Sequence, residues 1–205
     1  MNYEHTPGLD VIQSYFDPDY IGTCIDVGAS DGYHGNMTQM FELKGWETLC
    51  IEPNPVYYNH CSMIRKTTSM YAVGATDENG ITFTVFDVGG GNLSAISGLS
   101  TEQRLVESHK HLITNTYDIM VNVRTLDTII EEVFSFVDVI DFVSIDTEGT
   151  ELDVLRGFDI EYWKPKLFVI ENNFDEPYLA EYLETFGYVR DKREHVNDFF
   201  VRRDF

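Results

Sequence analysis

Residues 24–35 read CIDVGASDGYHG, three glycines and two aspartates placed directly behind a short apolar run. In an open α/β sheet, ligands bind beyond the carboxyl ends of the strands, at the point where the strand order reverses. An apolar run that ends in a bare acidic loop is therefore a candidate strand feeding a binding site. The same arrangement recurs outward from this stretch, in ETLCIEP (47–53), SMYAVGAT (69–76), IDFVSID (140–146) and KLFVIEN (166–172).

Between these runs the apolar spacing changes to that of amphipathic helices. NMTQMFELKG (36–45), VYYNHCSMIRK (56–66), DTIIEEVFSF (127–136) with Asp127 as N-cap, TELDVLRGF (150–158) and EPYLAEYLETFG (176–187) read as helices. After the Asn79-Gly80 turn signal, ITFTVFDV (81–88) reads as a strand beside the one before it, and DIMVNVRTL (118–126) as another. The tail 188–203 reads as an antiparallel strand pair. Strands alternating with helices predict an α/β fold with a mostly parallel central sheet, helices on both faces and a C-terminal antiparallel strand pair.

With 205 residues the chain is read as one domain, 1–205. Residues 1–20 form its N-terminal cap, and 89–116 a polar insertion expected to act as a lid over an acceptor. Asp and Glu outnumber Lys and Arg by 35 to 14, a balance that disfavours nucleic acid and anionic membranes as partners. No Lys or Arg precedes Lys44, so neither a basic signal-peptide region nor an Arg-rich transit peptide is expected, and the expected location is cytoplasmic. Cys24, Cys50 and Cys61 are odd in number and fit buried reduced thiols.

The opening loop spaces Asp26, Gly28 and Gly32 as DxGxxxG, with Ala29, Ser30 and Asp31 between the glycines. Glycine admits positive φ and lets a ligand approach the backbone where a Cβ would intrude. A dinucleotide pyrophosphate site more commonly shows GxGxxG opening a helix. The acid content here suits a cationic ligand instead. Glu52, ahead of Pro53 and Asn54, ends the second strand, where a carboxylate can accept both hydroxyl protons of an adenosine ribose. That feature alone fits NAD as well as S-adenosylmethionine, and the first loop tips the reading to the sulfonium compound. Val73 and Gly74, at the third strand's exit, are candidates for the adenine edge.

In SIDTEGTELDVLRGF (144–158), Asp146 and Glu148 lie two residues apart at a strand end, with Gly149 turning the chain into a helix. Two acids in one cleft raise a pKa toward the range of a general base. Asp146 is the candidate base, Glu148 its partner, and Asp146 also borders the cofactor. A divalent ion held by these two acids is the mechanistic rival, although no metal is expected. His34, His109 and His111 offer a third option.

The succession CIDVGASDGYHG, CIEPNPVYY, YAVGATDENGITF, VRTLDTIIEE, IDFVSIDTEGTELDVLRGF and KLFVIEN resembles the FkbM family of methyltransferases over roughly residues 22–172. The EPNP and IDxEGxE steps are its most specific pieces. The resemblance implies a Rossmann-like class I methyltransferase that uses S-adenosylmethionine to O-methylate a hydroxyl of a sugar, glycan or small metabolite. By position it assigns Asp26, Gly28 and Gly32 to the cofactor loop and Glu52 to the ribose. It places Asp146, Glu148, Gly149 and Glu151 beside the transferred methyl. Many relatives have Lys where this chain has Ser144. A nicotinamide-dependent oxidoreductase is disfavoured by the missing GxGxxG, and a non-catalytic cofactor-binding module by the presence of both acidic loops.

Overall fold

The computed structural model describes residues 8–88 and 97–204. The chain opens with α1 (Leu9–Ser14), β1 (Thr23–Val27), α2 (Gln39–Leu43), β2 (Glu47–Ile51), α3 (Pro55–Ile64) and β3 (Thr67–Ser69). β4 (Ala72–Val73), β5 (Glu78–Val88), α4 (Gln103–His109) and β6 (Ile113–Arg124) follow. The remainder comprises α5 (Leu126–Val133), β7 (Phe142–Ile145), α6 (Glu151–Arg156), α7 (Ile160–Trp163), β8 (Leu167–Glu171), α8 (Tyr178–Glu184), β9 (Tyr188–Glu194) and β10 (Asn197–Arg202).

Seven strands form one sheet in the order β3-β2-β1-β7-β8-β10-β9. Pairing is parallel from β3 through β8, and β10 runs antiparallel to both β8 and β9, as the alternating pattern and the tail predict. From β1 the chain walks outward to β2 and β3, then returns on the other side at β7. The strand order therefore reverses between β1 and β7, which places a binding crevice above their carboxyl ends.

The period of two along each strand sorts side chains onto two covered faces. Ile25 and Val27 of β1, Val143 and Ile145 of β7, and Phe168 and Ile170 of β8 pack with α5, α6 and α8 through Ile129, Leu155 and Leu183. The alternate residues Cys24, Phe142, Leu167 and Val169 pack with α1 and α2 through Ile12 and Phe41. Asp26 and Ser144 occupy this second face, paired in register at the end where the apolar side chains stop. Burial on both faces is why these strands carry continuous apolar runs. Cys24, Cys50 and Cys61 are free and buried.

Four local expectations are corrected. SMYAVGAT splits: Thr67–Ser69 ends the large sheet, while Ala72–Val73 joins a second sheet of order β4-β6-β5. β5 therefore does not lie beside the preceding strand, because β6 stands between them, and the apolar side chains of this small sheet close on one another through Phe83, Val85, Val121 and Val123. The N-cap of α5 is Thr125, whose hydroxyl accepts from the Thr128 N–H. Asp127 instead accepts from the Asp159 N–H and Trp163 Nε1, tying α5 to α7. Within the expected lid, Ile113–Thr116 belong to β6 and Gln103–His109 to α4; residues 89–96, with Asn92 and Ser94, lie outside the described residues, as do residues 1–7 of the N-terminal cap. Among the described residues no helix is long and apolar enough to cross a membrane.

Candidate active site

A cavity of about 550 Å³ opens above the carboxyl ends of β2, β1 and β7. Of the residues singled out in the sequence, Asp26, Gly28, Ala29, Ser30, Glu52, Pro53, Asn54, Val73, Asp146 and Glu148 line it. Asp31, Gly32 and Gly74 do not. Asp77, at the third strand's exit, is engaged by the Thr125 N–H and the Thr128 hydroxyl.

The β1 loop has the backbone its sequence predicts, for a partly different reason. Gly28 has φ 86°, and its N–H and that of Ala29 both donate to the Ile51 carbonyl at 3.0 Å. A Cβ on Gly28 would lie 1.8 Å from the Asp146 carbonyl oxygen, so the glycine is demanded by the neighbouring strand end rather than by an approaching ligand. Gly32 has φ 77°, and a Cβ there would meet Cys61 Sγ and Arg65 Cγ at 2.9 Å. That glycine seats the loop against α3.

Asp26 is buried. Its Oδ2 accepts from Asn36 Nδ2 at 2.6 Å and from the Thr38 hydroxyl at 2.8 Å. Arg65 lies behind this group and donates to Glu42, to the Gly32 carbonyl, to Asn36 Oδ1 and to the Thr38 hydroxyl. Burial raises the Asp26 pKa, and the Arg65 charge with the two side-chain bonds opposes that rise. Buried ionic groups persist only where such compensation is complete.

Glu52 spans two elements. Oε2 accepts from the Ser30 N–H at 2.9 Å and Oε1 from the Asn54 N–H at 2.8 Å. Asn54 is in turn the N-cap of α3, accepting from Val56 N, with Pro55 in the first turn. Each Glu52 oxygen thus has one backbone bond made, and the residue lines the cavity. Burial pushes its carboxyl up to about 7, against the two N–H bonds that favour the charge.

Across the β1 loop, Asp146 and Glu148 are joined by Glu171 from the end of β8, with carboxylate oxygens of all three within 4.8 Å of one another. Asp146 keeps accessible surface and lines the cavity, yet enough protein surrounds its carboxyl for desolvation to act on the charge. Burial is the main cause that drives Asp146 up to about 7, helped by the Glu151 charge. Glu148 and Glu171 are raised further, first by burial and then by the neighbouring acids. Glu148 sits at φ 60°, and its buried Oε2 has no hydrogen-bond partner among the described residues. It borders both the main cavity and a second, polar one of about 340 Å³ that Glu171, Asn172 and Tyr178 help to line. Three convergent carboxyls can share protons or hold a hard divalent cation.

Glu151, assigned by resemblance to the transferred methyl, instead accepts from the Thr147 N–H and hydroxyl and from the Gly149 N–H, and it shapes the loop that carries Glu148. Glu171 went unrecognised in the sequence although its signal equals that of Glu52 and Asp146, an acid closing an apolar run. His195, Val196 and Asn197, from the β9–β10 turn, also line the main cavity. Only the closing hairpin brings them there. His34 lines it too, whereas His109 and His111 do not.

Residues 26–199 match the family model described as the methyltransferase FkbM domain. No curated protein matches the chain. Among solved structures, the methyltransferase FkbM from Methylobacillus flagellatus KT aligns at TM-score 0.52 and 17% identity over 88% of this chain. The chain spans 44% of that protein's length, and the likeness is one of fold. The TrmK of M. capricolum, solved with S-adenosylhomocysteine, aligns at TM-score 0.44 and 11% identity, covering 94% of this chain and 65% of its own. A precorrin-6y C5,15-methyltransferase from Geobacter metallireducens GS-15 aligns at TM-score 0.44 and 13% identity, covering 94% and 85%.

Proposed function

The chain belongs to the FkbM methyltransferase family, and from that premise we propose that it transfers a methyl group from S-adenosylmethionine to a hydroxyl of a sugar, glycan or small metabolite. The observation that carries this reading is that Glu52 and Asp146 face one cavity from opposite sides of the β1 loop. When bound, the cofactor supplies an electrophilic methyl on a sulfonium. The residues present fit it: Glu52 offers two oxygens to a ribose diol, and the acidic lining favours a cation.

Asp146 stands where an acceptor hydroxyl must lose its proton. With a pKa near 7 it is ionised in part at neutral pH and basic enough to receive that proton. Glu148, on the wall between the two cavities, orients the acceptor, and Glu171 shares the proton load of the group. In this reading proximity and alignment supply most of the acceleration and a base adds about 10²–10⁴.

The test combines calorimetric titration with S-adenosylmethionine and transfer of a labelled methyl to a panel of sugars, glycosides and small alcohols. Binding weakened by Glu52→Gln, with label transferred to a hydroxyl compound and lost in Asp146→Asn, supports the reading. Tighter binding of NAD, or label found only on nitrogen, overturns it. Transfer that survives EDTA favours the base over a metal ion.

A further inference from the structure

The second cavity, of about 340 Å³, meets the main one at Glu148, which among the described residues alone lines both. Its volume lies in the range of small-ligand pockets, about 300–1,000 Å³. One wall is the segment 100–105, and the other is the end of β8 with the turn that follows it. Both walls are held in place. A Cβ on Gly149 would lie 2.8 Å from the Ser100 carbonyl oxygen, so the first wall is pressed against the loop that carries Glu148. Further along, Arg104 of α4 donates to Glu176 at 2.7 Å, and its guanidinium lies 4.1 Å from the centre of the Phe174 ring. In the second wall, buried Asn172 fixes the turn. Its Nδ2 donates to the Glu176 carbonyl at 3.0 Å and to buried Asp198 at 2.7 Å, and its Oδ1 accepts from the Glu176 N–H at 2.9 Å.

Resting on the methyl-transfer reading, we propose that this second cavity holds the body of the acceptor, and that the acceptor is a sugar ring without an acid group, which presents one hydroxyl past Glu148 to Asp146. The acceptor oxygen bonds the methyl as the methyl–sulfur bond breaks, its proton passes to Asp146, and S-adenosylhomocysteine is left. The chemistry of the walls favours hydroxyls. Carboxyl oxygens of Glu148 and Glu171 accept from an O–H whether or not the acids are ionised, and the Asn173 amide both donates and accepts. Glu148 Oε2 is buried with no partner among the described residues, an acceptor that a ligand hydroxyl satisfies. Tyr178, partly exposed, adds an apolar ring with a polar tip. An anionic group meets the opposite conditions. Arg104, the one cation of the lining among the described residues, is divided between Glu102 and Glu176. Burial, then the charges of Glu151, Glu102 and Glu176, raise the Tyr178 phenol against the effect of Arg104, so the field inside is negative. A phosphate or uronate would enter against that field.

The test is transfer of a labelled methyl from S-adenosylmethionine, by the whole chain, to matched acceptors: methyl glucosides, galactosides and mannosides against the corresponding uronides and 6-phosphates, with simple alcohols alongside. The neutral glycosides are expected to react with a kcat/KM about tenfold or more above their anionic counterparts. Tyr178→Leu is expected to raise the KM for a neutral glycoside by about fivefold or more while the affinity for S-adenosylhomocysteine, read by calorimetry, stays at the wild-type value, which also shows that the variant is folded. Glu176→Gln releases Arg104 from one of its two acids and is expected to narrow the discrimination against 6-phosphates by about threefold or more, a change of preference that loosened packing does not produce. Anionic sugars methylated as well as neutral ones, methyl transfer to simple alcohols alone, or wild-type KM and preference in both variants overturns the inference and leaves the methyl-transfer reading standing. Transfer to no hydroxyl compound at all overturns that reading and the inference with it.

Discussion

The tips of β1 and β7 touch through backbone alone: the space a Gly28 Cβ would need is filled, at 1.8 Å, by the carbonyl oxygen of Asp146. No side-chain adjustment relieves that contact, because both partners are main chain at the centre of the sheet. The β1 loop and the Asp146 strand end are therefore set relative to each other by one missing methyl group.

Gly28→Ala is expected to lower stability by on the order of 3 kcal/mol or more, from overpacking and positive-φ strain together. Urea denaturation followed by circular dichroism measures it. An unchanged midpoint would contradict the contact.

Arg65→Met leaves Glu42 and Asp26 as buried acids without their cation. Breaking such a pair by removing one partner costs about 3–5 kcal/mol. The expected result is a thermal midpoint lowered by many degrees, with a smaller deficit at acid pH, where Asp26, whose pKa burial raises, is protonated.

Glu52 has a folded-state pKa of about 7, raised above its ordinary 4.5. An acid raised on folding favours the folded state most below its unfolded pKa, and that stability is lost as pH climbs through the folded value. Glu52→Gln should therefore flatten the decline in stability between about pH 4.5 and 7. A ribose diol donates to the charged form, so cofactor binding should release protons and tighten across the same window. Calorimetry in buffers of different ionisation enthalpy reads the proton count.

The Asp146, Glu148 and Glu171 group follows the same sign over a wider range, since all three are raised. Glu171→Gln removes a carboxyl that has to take up a proton on folding, a cost that grows as pH rises above its unfolded pKa, and should raise the melting temperature by several degrees at pH 8 and little at pH 5. Equal shifts at both pH values would argue against proton sharing.

Periodicity and punctuation carried the main sheet into view: apolar runs at 24–27, 48–51, 142–145 and 167–170 are strands because both of their faces are covered, and the acids that close them sit at one rim for the same reason. Asp26, Glu52, Asp146 and Glu148 were legible on that basis. What the sequence could not order was whatever depends on pairing across long stretches of chain. β6 enters between β4 and β5 because its alternating apolar face completes the small sheet, a choice made by partners 25 to 51 residues away. Glu171 joins Asp146 only because β7 and β8 are neighbours, and His195 reaches the cavity only because β10 turns back against β8. Local composition determines which segments become strands and where each stops. Which acids converge at that rim follows from distances of a few ångströms that only the folded packing sets.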